Sequence, residues 1–282
     1  MSTITETHPS VPAPVRATGP RQRVTGARVL RSEWAKLWSL RSSWITVALA
    51  VVLMVAFGTI GALRYRSIIN SGQPMDPDFA RATALSLALF GVTFALLTLG
   101  VLGVLSTAGE YSTGMIRATL AAVPRRLPVL WSKVAAYGAV AAVAGLVGAF
   151  GAFLITSSVV AGTPAAMTFS SSDVVRSLLG AGGYLGLVAV IGVALGALLR
   201  STAGGISTLV GAFLLVPGLM SLLPSSWRDN VNPYLPSNAG EAMFTLHHST
   251  GMLSAGTGLV VLLGWTALAL AGAAYRMMRS DA

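Results

Sequence analysis

The side chains that usually carry catalysis or metal chemistry are scarce in this sequence. The histidines are His8, His247 and His248, and cysteine is absent. Without cysteine there is no disulfide, thiolate metal site or thiol nucleophile. The compartment stays open, because a chain lacking cysteine folds in either redox environment. Glu241 and His248 stand seven residues apart, a spacing that shares one helical face. One carboxylate and one imidazole fall short of the three or four ligands of a usual zinc site, so a polar loop is the plainer reading. No HExxH, GxSxG or paired-carboxylate pattern is present in the apolar spans. The two lysines, Lys36 and Lys133, do not follow a glycine, so neither completes the GxxxxGK[ST] loop that cradles nucleotide phosphates. The expectation is a chain with no catalytic residue, metal or cofactor of its own.

What must position the remaining polar groups is a set of apolar helices. Of 282 residues, 54% are hydrophobic and 10% are charged, against roughly 25% charged in an ordinary soluble domain. Six runs at 44–63, 83–107, 134–160, 178–199, 203–223 and 253–275 contain no Asp, Glu, Lys or Arg. Each is long enough for a membrane helix, which needs about 20 apolar residues. A water-soluble bundle would show charge on the outer face of every helix, and these runs show none. The first run begins 43 residues into the sequence and is too long for a signal-peptide core, so it reads as a permanent span. Small residues recur at contact spacing in Gly182/Gly186, Gly192/Gly196 and Ala144/Gly148/Ala152. Such residues let helices approach closely in lipid, either within one chain, the favoured reading, or at a dimer seam. Pro217–Gly218 is expected to kink the fifth span.

Orientation follows from the basic residues. The segments 1–43, 108–133, 200–202 and 276–282 hold 14 Lys and Arg, and the alternate segments hold 5. With the acids included, the whole net charge of +10 lies on one face. The positive-inside rule then makes both termini cytoplasmic. The basic residues form a rim toward anionic headgroups rather than a nucleic-acid stripe, so no nucleic-acid partner is expected. The spans carry none of the midplane ionisable groups used by proton-coupled transporters. The longest segments outside them, 43, 29 and 26 residues, are too short for an ATPase domain of roughly 100–200 residues. Energy for any uphill transport has to come from another chain.

Two cytoplasmic elements stand out after a Pro/Thr-rich tail, 1–27, that reads as disordered. Residues 28–40, RVLRSEWAKLWSL, place Leu30, Trp34, Leu37 and Trp38 on one helical face, with Arg28, Arg31, Glu33 and Lys36 over much of the rest. That pattern predicts an interfacial helix with indoles at headgroup depth; it serves as an anchor for the first span or as a lever moving with it. Residues 108–133, AGEYSTGMIRATLAAVPRRLPVLWSK, are bounded by Gly109 and Gly114 on one side and Pro124 and Pro128 on the other. Between them STGMIRATLAAV predicts a short helix, suited equally to docking in a groove on another protein and to resting on lipid.

The string GEYSTGMIRATL followed by VPRR, just after the second of six spans, resembles the loop of ABC-2 type ABC transporter permeases of the small actinobacterial kind. RSEWAKLWSLRSSW resembles that family's N-terminal elbow, and PYLPSNAGEAMF at 233–244 resembles its segment between spans five and six. Together these cover roughly residues 28 to 276.

The resemblance implies an all-α integral membrane permease domain over 28–282. It would have six transmembrane helices, an interfacial elbow (Trp34, Leu37, Trp38), a cytoplasmic coupling helix between spans two and three, and an extracellular short helix between spans five and six. It implies a multi-pass protein of the cell inner or plasma membrane that pairs with a second copy or a related permease. A separate cytoplasmic ABC ATPase would dock on Glu110, Tyr111, Ser112, Thr113, Gly114, Met115, Ile116 and Arg117, with Arg125 and Arg126 beside them. ATP and Mg would be bound by that partner, so the chain itself is not expected to be an enzyme. The implied function is export of an amphipathic or lipid-like compound (drug, antibiotic or lipid). A membrane sensor or immunity protein with the same fold and no export is the alternative.

Overall fold

The computed structural model describes residues 25–116, 119, 126–171, 173–220, 222–246 and 251–279. His8, Arg117, Arg125, His247, His248, most of the tail and much of the expected 112–123 helix lie outside the described residues. Every regular element among the described residues is helical. Helices suit a chain in hydrocarbon because they satisfy backbone groups internally where lipid offers no partner.

Six helical stretches are long and apolar enough to cross a membrane, making this a multi-pass membrane protein. A leading helix, α1 (Gly26–Ser39), turns through extended Leu40 into the first crossing, α2 (Arg41–Ser71). The second crossing has two pieces, α3 (Ala84–Leu89) and α4 (Val92–Ser112). The third is α5 (Arg126–Val159) and the fourth α6 (Val174–Leu199). The fifth runs from α7 (Thr202–Val210) through a π-helical turn, Gly211–Leu215, to α8 (Val216–Met220). Short helices α9 (Ser225–Val231) and α10 (Pro236–Glu241) lead to the sixth crossing, α11 (Ala255–Arg279).

Most of these helices outrun the charge-free runs of the sequence. α2 carries Arg41, Arg64 and Arg66, α4 carries Glu110, and α5 carries Arg126 and Lys133. The backbone stays helical past the hydrocarbon boundary, where charge becomes affordable. Where the sequence predicts a kink at Pro217, the structure has a π-helical turn just before the proline, in which the Val216 amide donates to the Gly211 carbonyl. Proline offers the preceding turn no amide, and a widened turn is one way a helix accommodates such a defect.

α6 is the centre of the bundle, and its glycines explain why. Gly182 and Gly186 face α5: a methyl at Gly186 would lie 2.9 Å from the Ala142 Cβ. Gly192 and Gly196 face α4: a methyl at Gly192 would lie 2.3 Å from the Gly100 carbonyl oxygen. Both pairs are therefore used in packing within the chain. Gly148 similarly admits Met54 of α2. The second crossing breaks at Phe90–Gly91 because α2 passes there, leaving 2.4 Å between a methyl at Gly91 and the Met54 carbonyl oxygen. Ahead of the break, Thr83 and Ser86 start α3 with a reciprocal capping box.

Gly192→Ala is expected to destabilise the protein by about 1–3 kcal/mol or more, since backbone rather than a flexible side chain must yield. Gly264→Ala, with no atom within 4 Å of the added methyl, is expected to unfold at or slightly above the parent temperature. Thermal unfolding of both variants in detergent checks the contrast.

The contacts fix the direction of each crossing. Gly100 and Val104 of α4 meet Gly192 and Gly196 of α6 in parallel register, whereas Gly100 and Val104 meet Leu209 and Gly205 of α7 in antiparallel register. At one end of the bundle the Arg126 guanidinium donates to the Met277 carbonyl at 2.9 Å. At the other, Arg66 donates to the Val159 carbonyl at 2.7 Å. α1 and the end of α11 thus lie at the same end.

A candidate coupling site at the α1 end

α1 presents Val29, Glu33 and Leu37 to the protein at four-residue intervals. Glu33 is therefore inward, 1% exposed, and not part of an outer polar face. Its Oε2 accepts from Lys133 Nζ of α5 at 2.7 Å, and its Oε1 accepts from Lys36 Nζ at 2.8 Å. Glu110, near the end of α4, completes the group: its Oε1 accepts from Lys133 at 2.8 Å and from Lys36 at 3.0 Å. Lys133, 2% exposed, gives its remaining proton to the Ser106 carbonyl at 3.1 Å. Its three ammonium donors are all used, as burial of such a charge demands.

Two carboxylates and two ammoniums make the cluster neutral. It joins three helices whose sequences lie far apart, with Lys133 and Glu33 separated by 100 positions. Burial alone would lower the pKa of Lys36, but its bonds to Glu33 and Glu110 outweigh that and hold it above the usual lysine value. Lys36 therefore stays charged throughout the neutral range, and its contribution is lost only as pH rises through that elevated value.

Composition carries a signal for this cluster. The chain has 17 arginines and 2 lysines, and both lysines are in the clamp. An ammonium can point three donors at acceptors converging from different helices, which the planar guanidinium fork cannot.

The loop after α4 divides into anchors and a tip. Glu110 is held in the clamp, and the Tyr111 ring lies under the Arg200 guanidinium, 4.9 Å from its centroid. Arg200 caps α6 in the left-handed conformation, φ 53°. Ile116 is buried on the far side. Between these anchors Ser112, Thr113, Gly114 and Met115 are exposed. Their order is local: Ser112 and Thr113 hydroxyls both donate to the Gly109 carbonyl, and Gly114 turns the chain at φ 73°. Of the other expected site residues, Arg126 reaches α11, while Arg117 and Arg125 lie outside the described residues.

Trp34, Leu37 and Trp38 separate in the same way. Leu37 is fully buried, whereas Trp34 and Trp38 are exposed. Trp34 sits 6.2 Å from Trp38, which lies 4.0 Å from Trp44, so indoles wrap the corner between α1 and α2.

The segment 233–246 lies at the opposite end and reaches into the bundle. Trp265 Nε1, ten residues into α11, donates to the Tyr234 carbonyl at 2.9 Å; that depth is about 15 Å along the axis. The Gly240 backbone sits against the Tyr184 ring of α6, where even a methyl would clash. Among the described residues no three His, Cys, Asp or Glu side chains are grouped to hold a metal. Compared with the models of known protein families the chain matches none, and no curated protein matches its sequence.

Proposed function

We propose that this chain is the membrane permease subunit of an ABC-2 type ATP-binding-cassette transporter, powered by a separate ATPase. The observation that carries the reading is the exposed tip at Ser112–Met115, gripped from behind by the clamp of Glu33, Lys36, Glu110 and Lys133. A partner seated on that tip pushes on α4, and the clamp carries the push to α1 and α5. The Tyr111–Arg200 contact carries it to the junction of α6 and α7. Close packing makes such a unit move as a body rather than deform. The excess of basic residues at this end supports reading it as the cytoplasmic side, where ATP is available.

In this reading two copies, or one copy and a related permease, enclose a path for an amphipathic compound. ATP binding closes the ATPase pair and moves the tip, changing the side to which the path opens. Coupling free energy is reciprocal, so the permease also alters the ATP affinity of its partner. Co-expression with a candidate P-loop ATPase, detergent pull-down of the tagged permease and measurement of ATP turnover test it. A stoichiometric complex that hydrolyses ATP is expected. A clean permease from cells that make the ATPase, with none bound, would leave a membrane sensor as the better reading.

A further inference from the structure

At the end opposite the clamp, a cleft of about 330 Å³ opens beside the segment that reaches into the bundle. Arg228, Asp229, Asn232, Asn238 and Glu241 supply its polar wall, and Met252 and Leu253 part of an apolar lip. Most of these polar groups have partners. Arg228 stands 3.8 Å from Asp229, and the Asn238 amide donates to both the carbonyl and the side-chain oxygen of Asn232.

Glu241 is the exception: its carboxylate makes no hydrogen bond or ion pair among the described residues. The group opens into the cleft, yet the surrounding walls withhold enough water to raise its pKa. It also stands in the last turn of α10, where the helix dipole disfavours negative charge. Neither the helix end nor any cationic partner among the described residues favours a carboxylate here. The backbone nevertheless holds it firmly, because the other face of α10 is pressed into the bundle: Ala239 and Gly240 are buried, Gly240 on the Tyr184 ring and the Ala239 carbonyl on Gly258. A side chain that breaks local rules on a rigid support marks a site completed by something else.

We propose that this cleft binds the positively charged nitrogen head of a cationic amphipath, with Glu241 as its counter-ion and the Met252–Leu253 lip against its apolar body. The proposal rests on the transporter reading and narrows the cargo to molecules that carry a positive head on an apolar frame. Asp229 stands beside Arg228 at 3.8 Å, so among the described residues Glu241 supplies the charge without a partner.

The test uses the full chain in uncharged maltoside micelles without any ATPase, so its result is independent of the docking reading. Fluorescence anisotropy follows rhodamine 6G, a cationic amphipath, with anionic sulforhodamine B as the charge-reversed control. Saturable binding of the cationic dye alone is expected. In Glu241→Gln that binding weakens roughly tenfold or more, as loss of a charge-assisted contact implies, while thermal unfolding stays at or above the parent temperature. Displacement of the dye by added phosphatidylethanolamine would identify the occupant as a lipid headgroup of the same chemistry; no displacement would favour a free cation. Equal binding by parent and Glu241→Gln, or no saturable binding by the parent, overturns the proposal.

Discussion

Lys133→Met is expected to be among the most damaging single substitutions in the protein. It leaves Glu33 with only Lys36, and leaves two carboxylates facing each other in a buried site across the gap where Nζ stood. Breaking a buried ion pair by removing one partner costs about 3–5 kcal/mol, chiefly because the surviving charge loses its compensation. For a chain of this size the unfolding temperature is expected to fall by on the order of 10 °C. The first region to loosen is α1, whose deepest contacts are Glu33 and Leu37, and limited proteolysis before Arg41 reads that directly. Lys133→Arg recovers only part of the loss, because the guanidinium fork does not match three converging acceptors. The combined variant Lys133→Met, Glu33→Gln, Glu110→Gln is expected to be more stable than Lys133→Met alone. Neutralising the orphaned carboxylates removes most of the penalty, a non-additivity that only direct coupling produces. Unfolding of Lys133→Met within a degree of the parent would show that the clamp contributes nothing.

The six crossings were legible because absence of charge over about 20 residues has one main cause, a hydrocarbon surround. Their ends were less so. A rule that stops at the first charge stops at Leu63, whereas α2 continues through Arg64 and Arg66 to Ser71. The break at Phe90–Gly91 left no mark in the apolar pattern, since its cause is the approach of Met54 from another helix. The glycine pairs of α6 were visible as contact spacing, but the sequence alone did not say that both meet helices of the same chain.

α1 was legible only in part. The interfacial reading grouped Leu37 with the indoles at headgroup depth and set Glu33 on the polar face, whereas Trp34 and Trp38 are exposed and both Leu37 and Glu33 are buried. At a membrane surface apolar side chains have lipid to face, and indoles favour the headgroup layer. Charged groups that enter such a protein turn inward toward partners. Glu33 and Lys133 obey the second rule and Trp34 and Trp38 the first. The candidate coupling loop was legible as a segment, while its division into anchors and tip was not. That division depends on Arg200, Lys36 and Lys133, which arrive from other helices.

A second substitution separates docking from transmission. Met115→Glu places a charge at the exposed centre of the tip without touching the clamp; Met115 is 52% exposed. The permease is expected to unfold at its parent temperature, because surface changes of this kind usually shift stability by less than about 0.5 kcal/mol. ATPase retention, by contrast, is expected to fall by on the order of 100-fold. A central apolar contact commonly carries about 2–4 kcal/mol of an interface, and a buried unpaired charge adds to the loss. Glu110→Ala should give the opposite pattern. Its carboxylate faces Lys133 and Lys36 and is 8% exposed, so the tip remains available and the ATPase still binds. What declines is stability and the coupling of ATP turnover to transport, because Lys133 and Lys36 are left with Glu33 alone. Pull-down stoichiometry and transport-linked ATP hydrolysis, measured on both variants, distinguish the two roles. If Met115→Glu retains the ATPase at parent stoichiometry and turnover, the docking surface lies away from Ser112–Met115. The clamp would then be a structural tie of α1 to the bundle and not a link to a motor.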